Sequence, residues 1–177
     1  MKEIVQDGAP VLRAAAEPVP EELFGSAELG RLLTRMEKAL DEEPDGVALA
    51  APQIGVSYRL FIVRKDRTLP SVTPAEGSVP MPPETEAYIN PEIIKTSRRR
   101  ARADEGCLSV RGTYGTTLRH ERVTVRARRP DGTWFERGGG GLLAQIFEHE
   151  IDHLNGTLFI DHAEHLIHIA HEPESKT

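Results

Sequence analysis

Apolar residues at Leu29, Leu32, Leu33, Met36 and Leu40 recur every three or four positions, which predicts one buried stripe on a helix from about Glu28 to Asp41. Glu42-Glu43-Pro44-Asp45-Gly46 ends it. Pro10 followed by Val11 to Ala16 reads as a short helix with proline in its first turn. β-Branched and aromatic residues concentrate at Tyr58–Arg64, near Ala87–Ile94 and at Arg122–Arg128, predicting strands. Pro130-Asp131-Gly132 then turns the chain into Thr133-Trp134-Phe135 as a hairpin. A second long helix is expected from about Gly141 to Leu154, and Leu166, Ile167 and Ile169 point to a short C-terminal helix packed on the domain. Strands flank a late helix, so the pattern is α+β, with mixed or antiparallel sheets, rather than an alternating βα series.

Between these elements, Thr68 to Glu86 holds Pro70, Pro74, Pro80, Pro82, Pro83 and Gly77 and reads as a long loop. Neither flank is large enough to fold alone, so residues 1–177 are expected to form one domain. Gly138-Gly139-Gly140-Gly141 lacks the following Lys-Ser or Lys-Thr of a phosphate cradle and reads as a flexible lead-in to the late helix.

Composition narrows the function classes. The chain has 177 residues, 38% hydrophobic and 28% charged, in the range of an ordinary soluble protein. Its net charge of −6 argues against DNA as the main partner. No apolar run approaches the ~20 residues that span a bilayer, so no membrane association is expected. Met1 to Asp7 lacks the apolar stretch of a secretion signal, and the single cysteine, Cys107, forms no internal disulfide. Both fit a reducing cytoplasm.

The chemistry concentrates in His149-Glu150-Ile151-Asp152-His153. Positions four apart return to one helical face at about 100° per residue, so His149 and His153 can grip one ion. Glu150 falls beside that ion, placed for acid/base work without ligating it. A catalytic site also needs a third protein ligand and an open position. Cys107, in Glu105-Gly106-Cys107-Leu108-Ser109, offers a thiolate, and Asp152 is a natural hydrogen-bond partner for a histidine.

With Gly46-Val47-Ala48-Leu49-Ala50-Ala51-Pro52-Gln53, these segments resemble peptide deformylases, whose motifs G-x-G-x-A-A-x-Q, E-G-C-L-S and Q-H-E-x-D-H occur in this order. The resemblance runs from the helix after Ser26 to about Asp161. It implies hydrolytic removal of the formyl group from N-formylmethionyl nascent chains, with Cys107, His149 and His153 holding one divalent ion per chain. Ferrous iron is the implied productive ion, with zinc, nickel or cobalt as alternatives. Glu150 becomes general base and then general acid, while Gln53 and the backbone N–H of Leu108 stabilise the oxyanion. Val47, Ala48 and Gly106 correspond to backbone that pairs with an extended peptide. Leu142 and Ile146 lie seven and three residues before His149 and can wall a methionine slot, or serve only as core contacts. By the same resemblance Tyr114 is expected at the substrate rim, and Glu105 is expected to pair with Arg119.

The chain departs from the family pattern twice. Ala48 replaces the usual second glycine, a strained choice if that backbone needs positive φ, and Glu148 replaces the glutamine before the first helix histidine, adding charge near the site. Ser97-Arg98-Arg99-Arg100-Ala101-Arg102 reads as a solvated strand or hairpin face, with transient contact to ribosomal RNA as the functional alternative. His162, His165, His168 and His171 recur every third residue near the C-terminus, where relatives carry a longer basic helix. Two rival functions remain: a zinc metallopeptidase, which usually takes its third ligand from downstream of the motif, and a non-catalytic module on the same fold.

Overall fold

The computed structural model describes residues 4–68 and 84–169. Most of the proline-rich stretch and the last histidine, His171, lie outside them. Among the described residues, the sheets contain β1 (Ala48–Ala50), β2 (Leu60–Arg64), β3 (Thr85–Thr96), β4 (Arg100–Cys107), β5 (Val110–His120), β6 (Arg122–Arg128), β7 (Trp134–Gly140) and β8 (Glu164–His168). The helices are α1 (Ala27–Asp41), the single turn α2 (Lys65–Thr68) and α3 (Leu142–Leu154). One sheet has the order β1-β2-β3-β6-β7 and the other β4-β5-β8, and every strand pair is antiparallel. No helix among the described residues is long and apolar enough to cross a membrane.

The period-two alternation of β2 divides the core. Phe61 and Val63 face α3 in a cluster with Tyr88, Val125 and Phe147, where Phe61 stacks on Tyr88 at 4.7 Å and Tyr88 meets the Phe147 ring at 5.3 Å. Leu60 and Ile62 face the opposite way, onto Leu29, Met36 and Leu40 of α1. The predicted stripe of α1 is therefore its buried face, and its first turn is capped by Ser26 Oγ, which accepts from the Leu29 N–H at 3.2 Å. The five-stranded sheet thus lies between α1 and α3.

Three expectations are corrected. The Pro10 helix is only a 3-10 turn, Pro10–Arg13. Gly138, Gly139 and Gly140 are not a flexible lead-in but the last residues of β7, paired with Thr124, Val123 and Arg122. A Cβ at Gly139 would lie 2.7 Å from Leu143 Cγ, so the glycine lets α3 pack directly on the strand. Only Gly141, with φ 56° at the cap of α3, takes the backbone that favours glycine. Leu166 and Ile167 lie in a strand, β8, which adds to the edge of β5 through pairs such as Tyr114 with Ile167, rather than in a helix. The arginine cluster forms the connection from β3 to β4, which lie in different sheets, and the start of β4, with Arg102 reaching Glu164 at 3.3 Å.

Candidate metal centre

Cys107 ends β4, while His149 and His153 project from one face of α3. Their ligating atoms all lie within 4.8 Å of one another, and Cys107 Sγ is 3.3 Å from His153 Nε2. Metal bonds of ~2.3 Å to sulfur and ~2.0 Å to nitrogen at a tetrahedral angle put such atoms about 3.5 Å apart. The three donors therefore fit one small divalent ion. Two neutral imidazoles and a thiolate suit zinc or a first-row transition metal rather than magnesium or calcium. Burial first, and then the nearby His149, hold the His153 imidazole well below its usual range, so it offers a lone pair. For His149, burial acts downward but is outweighed by hydrogen bonds to Cys107 and Glu105, which raise it. Ion binding at His149 therefore displaces a proton.

The support around the donors was only partly foreseen. Glu105 was expected to pair with Arg119, and it does, accepting from Nε at 2.6 Å and Nη2 at 3.0 Å. It also accepts from His149 Nδ1 at 2.9 Å, which turns that ring's Nε2 towards the other donors. Burial would raise the Glu105 carboxyl, but hydrogen bonds from His149 and Arg119 hold it well below the usual carboxylate range. Asp152 does pair with a histidine, but not a ligand: its Oδ2 accepts from Arg119 at 2.7 Å and meets His162 Nε2 at 3.3 Å. Glu148 faces away from the donors, held by the His120 N–H at 2.8 Å and by His120 Nδ1 at 2.7 Å. The extra carboxylate is thus hydrogen-bonded away from the donors.

Glu150 is buried one position along α3, and its Oε2 has no hydrogen-bond partner among the described residues. Burial is the main cause of its carboxyl being pushed up to about 7, opposed by His149. Gln53 sits in a 3-10 turn, Ala51–Ile54, where the Ala50 N–H donates to its Oε1 at 2.8 Å. That bond fixes the amide orientation, so Nε2 points at Ser109 Oγ (3.2 Å) and Cys107 Sγ (3.7 Å). Ser109 is a contact the sequence did not reveal.

A cavity of about 450 Å³ opens over these groups. One wall is the α1–β1 loop with Val47 and Ala48, the other runs through Gly106, Cys107 and Leu108, and Ile146, His149 and Glu150 lie along α3. All six expected substrate residues, Val47, Ala48, Gly106, Leu142, Ile146 and Tyr114, line it. Ile146 is buried at 4% exposure whereas Leu142 (45%) and Tyr114 (48%) stand at the mouth. A Cβ at Gly106 would come 2.9 Å from the Tyr114 ring, so the glycine keeps that wall thin. Ala48 does not take positive φ, so its substitution for glycine brings no backbone strain. Among the described residues β1 is an edge strand, with Arg64 N–H bonded to Val47 C=O on the β2 side. Strand alternation therefore turns the Ala48 N–H and C=O towards the free edge.

Comparison with known proteins agrees with this geometry. A family model described as polypeptide deformylase matches residues 1–168. The peptide deformylase of Acidobacterium capsulatum is 42% identical over 160 residues, covering 90% of this chain and 85% of that protein. Peptide deformylase 1 of Streptomyces coelicolor is 38% identical over 162 residues, covering 91% and 72%. Among solved structures, the Met-Ala-Ser-bound class I type b peptide deformylase of Acinetobacter baumannii superposes with a TM-score of 0.77 at 33% identity, covering 89% of this chain and 96% of that one. A peptide deformylase from Legionella pneumophila gives 0.76 at 37% identity, covering 92% and 85%. On motif order, fold and matched length together, the chain belongs to the polypeptide deformylase family.

Proposed function

We propose that this chain hydrolyses the formamide of N-formylmethionyl peptides, releasing formate, with the residues around Cys107 in the roles that follow. The observation that carries this reading is a buried, partly unpaired carboxylate, Glu150, beside three converging metal donors on the floor of a cavity with a free strand edge. A divalent ion held by Cys107, His149 and His153 would lower the pKa of water from ~16 towards ~7 and polarise the formyl oxygen. Glu150 takes the proton of the attacking water. As the water oxygen bonds to the formyl carbon and the C–N bond breaks, Glu150 passes that proton to the departing nitrogen. Gln53 Nε2 and the Leu108 N–H donate to the oxygen on which negative charge builds, where one donor is worth ~3–4 kcal/mol.

Substrate is held by complementary surfaces. The Ala48 N–H and C=O and the backbone at Gly106 pair with an extended peptide as an added strand. Ile146, Val47 and Leu142 form the apolar slot for methionine, and Tyr114 borders the residues that follow. Such peptides arise in translation, so transient ribosome contact belongs to the same reading. Ferrous iron is the proposed working ion.

The test is a product assay. Formyl-Met-Ala-Ser should yield formate and intact Met-Ala-Ser in equal amounts. Cleavage of the Met-Ala bond instead would make the site a metallopeptidase, and no turnover with metal bound would make the chain a binding module.

A further inference from the structure

One charged contact joins the two long walls of the cavity and takes no part in the chemistry above. Glu43, on the α1–β1 loop, accepts from both terminal nitrogens of Arg111 on β5: Oε2 from Nη1 at 3.0 Å and Oε1 from Nη2 at 2.5 Å. Both residues line the cavity, and their side chains are only 19% and 27% exposed. Arg111 Nε is buried without an acceptor among the described residues, so Glu43 orients the guanidinium. A two-point pair of this kind resists rotation as well as separation.

The pair sits where the backbone needs it. The loop from Glu43 to Gly46 leads directly into the free edge of β1, and Arg111 lies on the wall that carries Gly106 and Cys107. From below, Arg67 Nη1 donates to the carbonyls of Glu43 and Gly46 at 2.9 and 2.6 Å. A Cβ at Gly46 would come 2.8 Å from Leu40 Cδ1 and 3.2 Å from Leu108 Cδ1, so the loop is already in contact with the opposite wall.

We infer that the Glu43–Arg111 pair is a strap that fixes the spacing between the walls, making both residues positioning residues for the backbone of an extended formyl-methionyl peptide. The inference rests on the deformylase reading. Strand-like contacts accumulate with peptide length, so a wider cleft penalises formyl-Met-Ala-Ser more than formyl-Met. Replacing both partners by methionine leaves no unpaired buried charge, so E43M/R111M is expected to fold.

Steady-state kinetics on both substrates tests this in the metal-loaded enzyme. E43M/R111M should raise KM for formyl-Met-Ala-Ser roughly tenfold, with kcat for that peptide changed about twofold at most. The ratio of kcat/KM for the tripeptide to that for formyl-Met should fall accordingly, and the charge-reversed pair E43R/R111E should restore much of it. If the double methionine variant does not fold, R111K, which keeps the charge but loses the fork, must give a reduced ratio. A wild-type ratio in the folded variant, or an equal loss of kcat on both substrates, overturns the strap. Absence of wild-type turnover on formyl-Met-Ala-Ser overturns the deformylase reading itself.

Discussion

At the scale of single residues, Glu150 is where stability and chemistry pull apart. Its carboxyl is pushed up to about 7, chiefly by burial, from an ordinary value of 4.5. A carboxyl raised in the folded state favours folding when protonated. As pH rises from about 4.5 to about 7, the Glu150 contribution to the stability of the metal-free protein therefore falls, by about 3 kcal/mol in all. E150Q removes that charge. Metal-free E150Q should be more stable than wild type at pH 8, and the difference should fade towards pH 4. Urea denaturation of both proteins across this range checks it, and a difference that does not change with pH would contradict it. A bound cation favours the carboxylate, so metal loading should shrink the gap. The residues proposed to do the chemistry were legible because each sits in a short motif. Of the contacts around them only Glu105 with Arg119 was foreseen; His149 and Glu105 are 44 residues apart, and Arg111 and Glu43 are 68 apart, and neither pair was.

At the scale of elements, periodicity found what buries a regular stripe. The range of α1 was predicted nearly to the residue, and β6 to the residue, because Val123, Val125 and Ala127 alternate with polar neighbours. β5 escaped notice, and of β4 only the start at Arg100–Arg102 was read as a strand or hairpin face, for a physical reason. The inward face of β5 carries Thr113, Gly115, Thr117 and Arg119, and its arginine is buried against Glu105 and Asp152, so hydrophobic alternation is missing. The glycines of β7 were misread because their cause lies elsewhere in the chain, in the close approach of Leu143 to Gly139. β8 was misread because Leu166 and Ile167 remain exposed, and pairing with β5 defines it rather than burial.

At the scale of the whole molecule, two layers cooperate. The sheet β4-β5-β8 delivers the thiolate of Cys107, and α3, packed on the five-stranded sheet, delivers both imidazoles and Glu150. Affinity alone favours zinc over ferrous iron at such a donor set. The proposed iron centre is therefore expected to be fragile, with a thiolate ligand open to stepwise oxidation. Iron-loaded protein should lose activity in air and quickly in peroxide, while nickel-loaded protein should be active and resistant. Turnover with zinc equal to that with iron or nickel would make the site a simple zinc hydrolase.

The most direct test of the account separates holding the metal from using it. Metal content and formate release are measured on the same preparation of E150A, with formyl-Met-Ala-Ser as substrate. The account predicts one ion per chain, as in wild type, with turnover lower by ~10²–10⁴-fold. Loss of the ion, or turnover near wild type with the ion in place, would contradict the role assigned to Glu150.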